Sequence, residues 1–126
     1  MADGPHTSAT VRFDLVLDSQ DPSKLAPFWA QALGYIELEN VDNDVLLAPD
    51  GRPGPNLLVQ QVPDTKSTKN RMHLDIYATD IEREAARLER LGASRVEQFS
   101  EHGSNWILMS DPEGNEFCVC RNGGDC

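Results

Sequence analysis

Residues 21–34, DPSKLAPFWAQALG, decide the fold of this chain. Asp21 and Pro22 form a helix start, because Asp accepts hydrogen bonds at an N-cap and Pro fits the first helical position. Gly34 is a typical helix end, since glycine adopts the left-handed conformation at low cost. Between them, apolar residues at helical spacing form one stripe: Leu25, Phe28, Trp29, Ala32 and Leu33. The stretch therefore predicts an amphipathic helix.

The same signals return 58 or 59 residues later, in residues 79–92, TDIEREAARLERLG. Thr79 or Asp80 is the expected N-cap, and Glu82, three residues after Thr79, completes a capping box. Gly92 is the expected helix end. The apolar stripe of this second helix consists of Ile81, Ala85, Leu88 and Leu91. Because cap, stripe and stop recur in register, the sequence predicts an internal duplication.

Strand patterns surround both helices. Residues 11–18 and 71–78 alternate apolar and polar side chains, which predicts one half-buried strand before each helix. Short apolar runs predict three further strands after each helix, at residues 35–39, 45–48, 57–62, 94–99, 105–110 and 116–120. We therefore expect an α+β fold of two βαβββ modules, about 10–63 and 70–121, in a single domain of residues 10–121. Residues 1–9 and 122–126 are expected to be tails.

The charge and composition of the chain restrict the binding partners that we expect. The chain of 126 residues has 11 Lys and Arg against 21 Asp and Glu, a formal net charge of −10. This charge repels nucleic acid and anionic membranes, so we expect neither as a partner. No apolar run approaches the ~20 residues of a membrane span. The first residues, MADGPHTSAT, carry no apolar signal core, so we expect a cytoplasmic protein. Cys118 and Cys120 share one strand face and cannot bridge each other, so we expect free thiols.

The first and last strands of each module have one polar face. The apolar face must pack under the following helix, which leaves Asp14 on the open face of the first module. In the second module the open face carries His73, Asp75 and Tyr77, and Asp14 and His73 occupy equivalent positions. On the last strand, Glu116, Cys118 and Cys120 face the same way. Two such faces brought together predict a polar trough, the usual form of a small-molecule site.

Three stretches resemble one known superfamily. They are LDSQDPSKLAPFWAQALGY (residues 17–35), KNRMHLDI (69–76) and WILMSDPEGNEFCVC (106–120). The pattern is similar to the vicinal oxygen chelate (VOC) superfamily, which includes glyoxalase I, extradiol dioxygenases, methylmalonyl-CoA epimerase, and fosfomycin and bleomycin resistance proteins. The likeness is to bacterial glyoxalase-like domains and covers roughly residues 10–121. It implies the paired βαβββ modules that the duplication already predicts.

The resemblance also implies a ligand set for a divalent metal. Metal-dependent members take four ligands from the first and last strands of the two modules, typically His, Glu or Gln, His and Glu. These positions fall on Asp14, Gln60, His73 and Cys118, and a one-residue slip in the loop PDGRPGP would replace Gln60 with Val59 or Gln61. Here Asp stands for the first His and Cys for the last Glu. Such a set can hold a divalent ion, but other members bind their ligand without one.

The resemblance gives two hypotheses for function. In the first, the protein binds a small molecule, anionic or with vicinal oxygens, and His73 and Asp14 perform lyase- or isomerase-type acid–base chemistry, with or without a metal. In the second, it is a metal-free protein that sequesters a small molecule, as bleomycin-resistance proteins do. The expected ligand-binding residues are Arg71, Asp75, Tyr77, Gln60 and Cys118, with Arg71 as an anion contact. Members of this size commonly pair, so we expect a homodimer.

Overall fold

The structure is a computed structural model, and it describes residues 14–70 and 72–123. The chain divides into two compact units, Met1–Pro63 and Asp64–Cys126, which are called here the first half and the second half. Within the described residues, each half contains one helix and one four-stranded sheet. The start of the first predicted strand, residues 11–13, and most of the predicted tails lie outside the described residues.

The first half follows the predicted element order. Its elements are β1 (Asp14–Ser19), α1 (Pro22–Leu33), β2 (Tyr35–Val41), β3 (Asp44–Pro49) and β4 (Asn56–Gln61). The sheet order is β1-β4-β3-β2, with β1 parallel to β4 and the other pairs antiparallel. The parallel pair arises because the chain returns to β1 only after the helix and the β2–β3 hairpin.

The second half repeats this topology. Its elements are β5 (Asp75–Ala78), α2 (Ile81–Leu91), β6 (Ser94–Glu101), β7 (Ser104–Ser110) and β8 (Glu116–Arg121). The sheet order is β5-β8-β7-β6, again with one parallel pair, β5 with β8. The prediction of an α+β fold with two βαβββ modules is therefore confirmed.

The first helix begins and ends at the predicted residues, although its cap is made differently. Gly34 has φ 70° and ψ 36°, the left-handed conformation that glycine allows. At the other end, the Asp21 carbonyl accepts hydrogen bonds from the backbone N–H groups of Lys24 and Leu25, both at 3.0 Å. The Asp21 carboxylate accepts from the Ser23 hydroxyl at 2.7 Å and makes no capping bond to a helix N–H. Pro22 at the first position sets the start of the helix.

The second helix corrects the predicted capping box. Asp80 is the N-cap, and its carboxylate accepts a hydrogen bond from the Arg83 backbone N–H at 3.1 Å. With the cap at Asp80, the third helical residue is Arg83, so a box between Thr79 and Glu82 cannot form. Glu82 instead pairs with Arg95 on β6, with an oxygen–nitrogen distance of 2.9 Å.

Each helix covers the apolar face of its own sheet. In the first half, α1 packs on β2, β3 and β4, and the fully or almost fully buried residues are Leu25, Phe28, Trp29, Val45, Leu47, Leu57 and Val59. In the second half, α2 packs on all four strands, and the corresponding residues are Ala85, Leu88, Ile107, Met109, Phe117 and Val119. The opposite sheet faces carry polar side chains such as Asp75, together with apolar ones such as Val16 and Leu108. In residues 14–70 and 72–123, neither helix is long and apolar enough to cross a membrane.

The strand before α2 is shorter than predicted. The alternation predicts a strand over residues 71–78, but β5 begins at Asp75. The pairing with β8 extends one residue before β5, because the Cys118 backbone N–H donates a hydrogen bond to the Leu74 carbonyl at 3.0 Å. His73 therefore lies two residues before the strand, next to the Leu74 carbonyl that bonds to β8. Arg71 lies outside the described residues.

Candidate functional site

The register of β5 and β8 decides which side chains of the second half share a face. Asp75 is paired with Cys118, and Tyr77 with Cys120. Directly paired residues project to the same side of a sheet, so these four side chains lie on one face. Val119, between the two cysteines, lies on the other face and is fully buried under α2. The open face of the second half is therefore the one that the alternation predicts.

A pocket of about 160 Å³ opens on this face, and we call it the aromatic pocket. Its lining residues are Lys69, Asn70, His73, Phe99, Trp106, Leu108, Glu116 and Cys118. Phe99 and Trp106 are paired on β6 and β7, and their rings stack with centroids 5.1 Å apart and an angle of 13° between planes. The pocket thus combines a flat aromatic wall with several polar groups from β8 and the segment before β5.

Glu116 fixes the segment that carries two of the lining residues. Its carboxylate accepts a hydrogen bond from the Asn70 backbone N–H at 2.8 Å. The Lys66 ammonium lies 3.6 Å from the same oxygen, and both side chains are mostly buried. Because Glu116 is the first residue of β8, these contacts attach the segment of residues 66–70 to the sheet. They bring Lys69 and Asn70 to the pocket wall.

His73 is oriented by a carboxylate. Its Nδ1 lies 3.0 Å from the Asp75 Oδ1, and the side chains are 42% and 32% exposed. A carboxylate at one ring nitrogen fixes the plane of the imidazole. The other ring nitrogen is then held in a defined direction. Since His73 lines the pocket, the pair has the arrangement of a general acid or base with its orienting group.

Cys118 is a buried free thiol in the lining of the pocket. Burial raises the pKa of the Cys118 thiol, the nearby charges of Asp75 and Glu116 raise this pKa further, and the Lys69 ammonium opposes them. The protonated thiol is thus favoured at neutral pH. A thiol with a raised pKa is a poor nucleophile, so the environment of Cys118 does not support covalent catalysis by this residue alone.

Three of the predicted site residues come together in the second half. The ligating atoms of His73, Asp75 and Cys118 all lie within 4.8 Å of one another. Tyr77, the next residue along the same face, is exposed and lies outside the pocket lining. Arg71, the expected anion contact, lies outside the described residues. The structure therefore adds Asp75 to the expected pair of His73 and Cys118.

The structure does not bring the two predicted residues of the first half together. Asp14 is paired with Asn56 at the start of β1, whereas Gln60 is paired with Asp18 four residues further along. At about 3.3 Å per residue, this offset separates the two positions by roughly 13 Å, more than their side chains can span to share one ion. A single ion bound by both residues would need a different register.

The comparisons with known proteins place these observations in a family. The model of the glyoxalase-like domain matches residues 14–120. The chain belongs to the glyoxalase-like domain family. No curated protein matches the sequence. The structural neighbours come from the glyoxalase/bleomycin resistance/dioxygenase (VOC) superfamily, as the resemblance in the sequence implies.

Three solved structures illustrate the similarity of this glyoxalase-like domain to proteins of known structure. The fosfomycin resistance protein FosX from Listeria monocytogenes has a TM-score of 0.71 and 11% identity, over 88% of this chain and 92% of that chain. A glyoxalase/bleomycin resistance protein/dioxygenase family enzyme from Burkholderia phytofirmans PsJN has a TM-score of 0.69 and 13% identity, over 85% and 94%. Lactoylglutathione lyase from Agrobacterium tumefaciens has a TM-score of 0.63 and 18% identity, over 90% and 95%. At these identities the comparison shows the fold.

The strand alternation does not predict the apolar wall of the pocket, which Phe99 and Trp106 form. The position of the turn at Asp111 could have predicted the face of Trp106. The turn pairs Ser110 with Glu116, and the same register pairs Trp106 with Cys120. Counting outward from that turn would have placed Trp106 on the open face. Phe99 carries no such signal, since a register shift between Arg95 and Glu97 changes which side of the sheet later residues face.

The expectation of free thiols is wrong for one cysteine. Cys118 is free, but Cys120 is disulfide-bonded. The spacing argument excluded only a bridge between these two residues, which share a strand face. It did not address a bond to another cysteine of the chain.

Proposed function

We propose that this glyoxalase-like domain binds a small planar or anionic molecule with neighbouring oxygen atoms in the aromatic pocket. The observation that carries the proposal is the pairing of stacked Phe99 and Trp106 with polar groups in one pocket. Stacked rings favour a flat ligand, because aromatic pairs gain about 0.5–1.5 kcal/mol beyond the area they bury. The polar groups then fix its orientation.

The size and charge of the pocket restrict the ligand further. A volume of about 160 Å³ corresponds to roughly five water molecules at about 30 Å³ each. It therefore admits a compact molecule or one part of a larger one. The chain carries a net charge of −10, so an anion needs a local positive group. Lys69 supplies this group at the pocket wall, and Arg71, two residues further on, is proposed as a second one from the sequence.

If the protein is an enzyme, we propose that His73 performs the acid–base chemistry on the bound molecule. The 3.0 Å contact with Asp75 supports it, since the carboxylate holds the imidazole in one orientation beside the pocket. A ligand with a proton next to a carbonyl is the substrate that a lyase or isomerase of this type requires. Asp14 stays a candidate second catalytic residue on the sequence alone. The alternative is sequestration without chemistry, and the aromatic wall supports that role equally.

A divalent ion held by Asp14, Gln60, His73 and Cys118 is the metal site that the superfamily resemblance proposes. The register of β1 and β4 argues against Gln60 as a partner of Asp14 in that site. In the second half, Cys118 pairs with Asp75, which lies two residues after His73. In the first half, the residue two after Asp14 is Val16, and it pairs with Leu58. The structural equivalent of Cys118 is therefore Leu58 rather than Gln60. Leu58 offers no ligand atom, so of the two first-half residues in this set only Asp14 stays a candidate.

The test is native mass spectrometry of the purified protein, with identification of the small molecules released on denaturation. We expect a bound species in the wild type and its loss in Trp106→Leu, which removes the stacking wall. Val96→Ala, an exposed position on β6 outside the pocket lining, is the matched control and should retain it. Equal retention in Trp106→Leu and wild type would contradict the proposed pocket.

We also propose a homodimer. The edge strand β2 exposes Ile36, Leu38 and Val41, and an unpaired apolar edge is a surface that pairing with a second copy would protect. Light scattering should return twice the 14.0 kDa of the chain, and a value of one chain mass would remove the proposal. For the cytoplasmic location, thiol trapping at cell lysis is the test: a reduced Cys120 supports it and an oxidised Cys120 contradicts it.

A further inference from the structure

Two charged side chains of opposite sign line the aromatic pocket, Lys69 and Glu116. A carboxylate repels an anionic ligand as strongly as an ammonium group at the same distance attracts it. Lys69 can therefore favour an anion only where the charge of Glu116 is cancelled. We propose that Lys66, which lies outside the pocket lining, cancels this charge and so determines the sign of the charge that the pocket accepts.

Lys66 and Glu116 form a close pair that is largely withdrawn from water. The Lys66 ammonium nitrogen lies 3.6 Å from a Glu116 carboxylate oxygen, and the side chains are 23% and 20% exposed. The same oxygen accepts a hydrogen bond from the Asn70 backbone N–H at 2.8 Å. Salt screens such partly buried charges less than it screens surface charges. The pair therefore acts on the pocket as a dipole rather than as a net negative charge.

The turn before β8 holds both partners of this pair in place. The buried Asp111 carboxylate accepts hydrogen bonds from the backbone N–H and the side-chain amide of Asn115, at 2.9 and 2.8 Å. Asn115 directly precedes Glu116, so the turn fixes the start of the Glu116 side chain. The aliphatic part of Lys66 lies against the same turn, since a methyl group at Gly114 would lie 3.8 Å from the Lys66 Cδ. The pair is thus formed before any ligand arrives.

Lys69 differs from Lys66, because within residues 14–70 and 72–123 it forms no ion pair. Asp75, in contact with His73, adds a second carboxylate just outside the pocket lining. With a neutral His73, two ammonium groups then stand against two carboxylates. Loss of Lys66 leaves a net negative charge at the pocket, and loss of Glu116 leaves a net positive one. The inference rests on the proposed function for its ligand, a planar molecule with one anionic group.

The test is quenching of tryptophan fluorescence by iodide, caesium and acrylamide at pH 8 and constant ionic strength. The chain has two tryptophans. Trp29 is 2% exposed in the core of the first half, whereas Trp106 lies in the pocket wall, so ionic quenchers report on Trp106. The ratio of the iodide to the caesium quenching constant measures the local electrostatic potential.

We expect the two single variants to shift this ratio in opposite directions. Lys66→Met should lower it about twofold and Glu116→Gln should raise it about twofold, because one unit charge within a Debye length changes the local concentration of each monovalent ion roughly 1.5-fold. Quenching by the neutral acrylamide should stay constant. The double variant and Lys66→Arg should both keep the wild-type ratio. Arg90→Met, which removes one exposed positive charge on α2, across the sheet from the pocket, is the matched control and should leave the ratio unchanged.

A pair with a structural role alone gives a different result. If Lys66 and Glu116 only fasten the segment of residues 66–70, both single variants loosen it, and quenching by all three agents rises at an unchanged ratio. That result would overturn the proposal, and so would a ratio that falls in both variants. Should circular dichroism show that Lys66→Met does not fold, Glu116→Gln alone decides, since the electrostatic role requires its ratio to rise. The ions probe the pocket without a ligand, so this outcome is independent of the mass spectrometry that tests the proposed function.

Discussion

Two neighbouring residues of β7 test whether one face of the second sheet forms the core and the other binds a ligand. Ile107 is fully buried and is paired with Val119 on the face that α2 covers. Leu108 is half-buried, is paired with Cys118 and lines the aromatic pocket. We predict that Ile107→Ala lowers the stability of the protein and that Leu108→Ala mainly alters ligand binding.

The two expected magnitudes follow from burial. Ile107→Ala removes three carbons from a fully packed core and leaves a cavity, at a cost of about 2–5 kcal/mol in the free energy of unfolding. Leu108→Ala removes as much side chain, but part of it is exposed in the open pocket, and its removal leaves no enclosed cavity. At about 0.8 kcal/mol per buried methylene, the expected cost is about 1.5–2 kcal/mol.

Urea unfolding followed by far-ultraviolet circular dichroism measures both costs. The slope of the free energy against urea concentration should stay constant, so that a shift in midpoint reports stability. The ligand identified by mass spectrometry then provides the binding assay. The reasoning fails if Leu108→Ala costs as much stability as Ile107→Ala, because the open face would then be part of the core.

Three further predictions concern single interactions. Asp80→Ala should cost about 1 kcal/mol in the same urea assay through loss of the N-cap, while Thr79→Ala should have little effect; equal losses would return the cap to Thr79. The hydrogen bond from Arg87 lowers the pKa of Glu84 from its ordinary value of 4.5. The stability that this pair contributes is therefore present above pH 4.5 and is lost as the pH falls below it. Glu84→Gln should make the free energy of unfolding less dependent on pH in that range. Cys118 in the metal-free protein should react with iodoacetamide only at a pH above the usual thiol range, and rapid reaction at neutral pH would contradict the raised pKa.

The helices and the duplication were predictable because their signals are local. Pro22 and Gly34 act through their own backbone preferences, and the apolar stripe between them needs no knowledge of the rest of the chain. The prediction of a capping box was wrong because it, too, used local signals alone. Thr79 and Asp80 are both good caps, and only the contacts of the folded helix, such as the pairing of Glu82 with Arg95, decide between them.

The faces of the strands were also predictable, since alternation is a geometric property of extended backbone. The alternation alone places His73, Asp75 and Cys118 on one open face. Their mutual distance was not predictable. It depends on the register between β5 and β8, which are separated by some forty residues of helix and hairpin. The stacking of Phe99 on Trp106 was not predictable either, because it depends on the irregular register between β6 and β7.

The register also explains why counting along the chain failed in the first half. The β6–β7 hairpin (Ser94–Ser110) is two residues longer than the β2–β3 hairpin (Tyr35–Pro49), and the loop before β4 is one residue longer than the turn before β8, so a constant offset does not carry a residue of β8 to its equivalent in β4. Strand pairing does: the positions of Asp75 and Cys118 are taken by Val16 and Leu58 in the first half. Two of the three donors thus have apolar counterparts. The duplication provides the same scaffold twice, and in the described residues the His73–Asp75–Cys118 cluster belongs to the second copy, which is where substitution should affect binding.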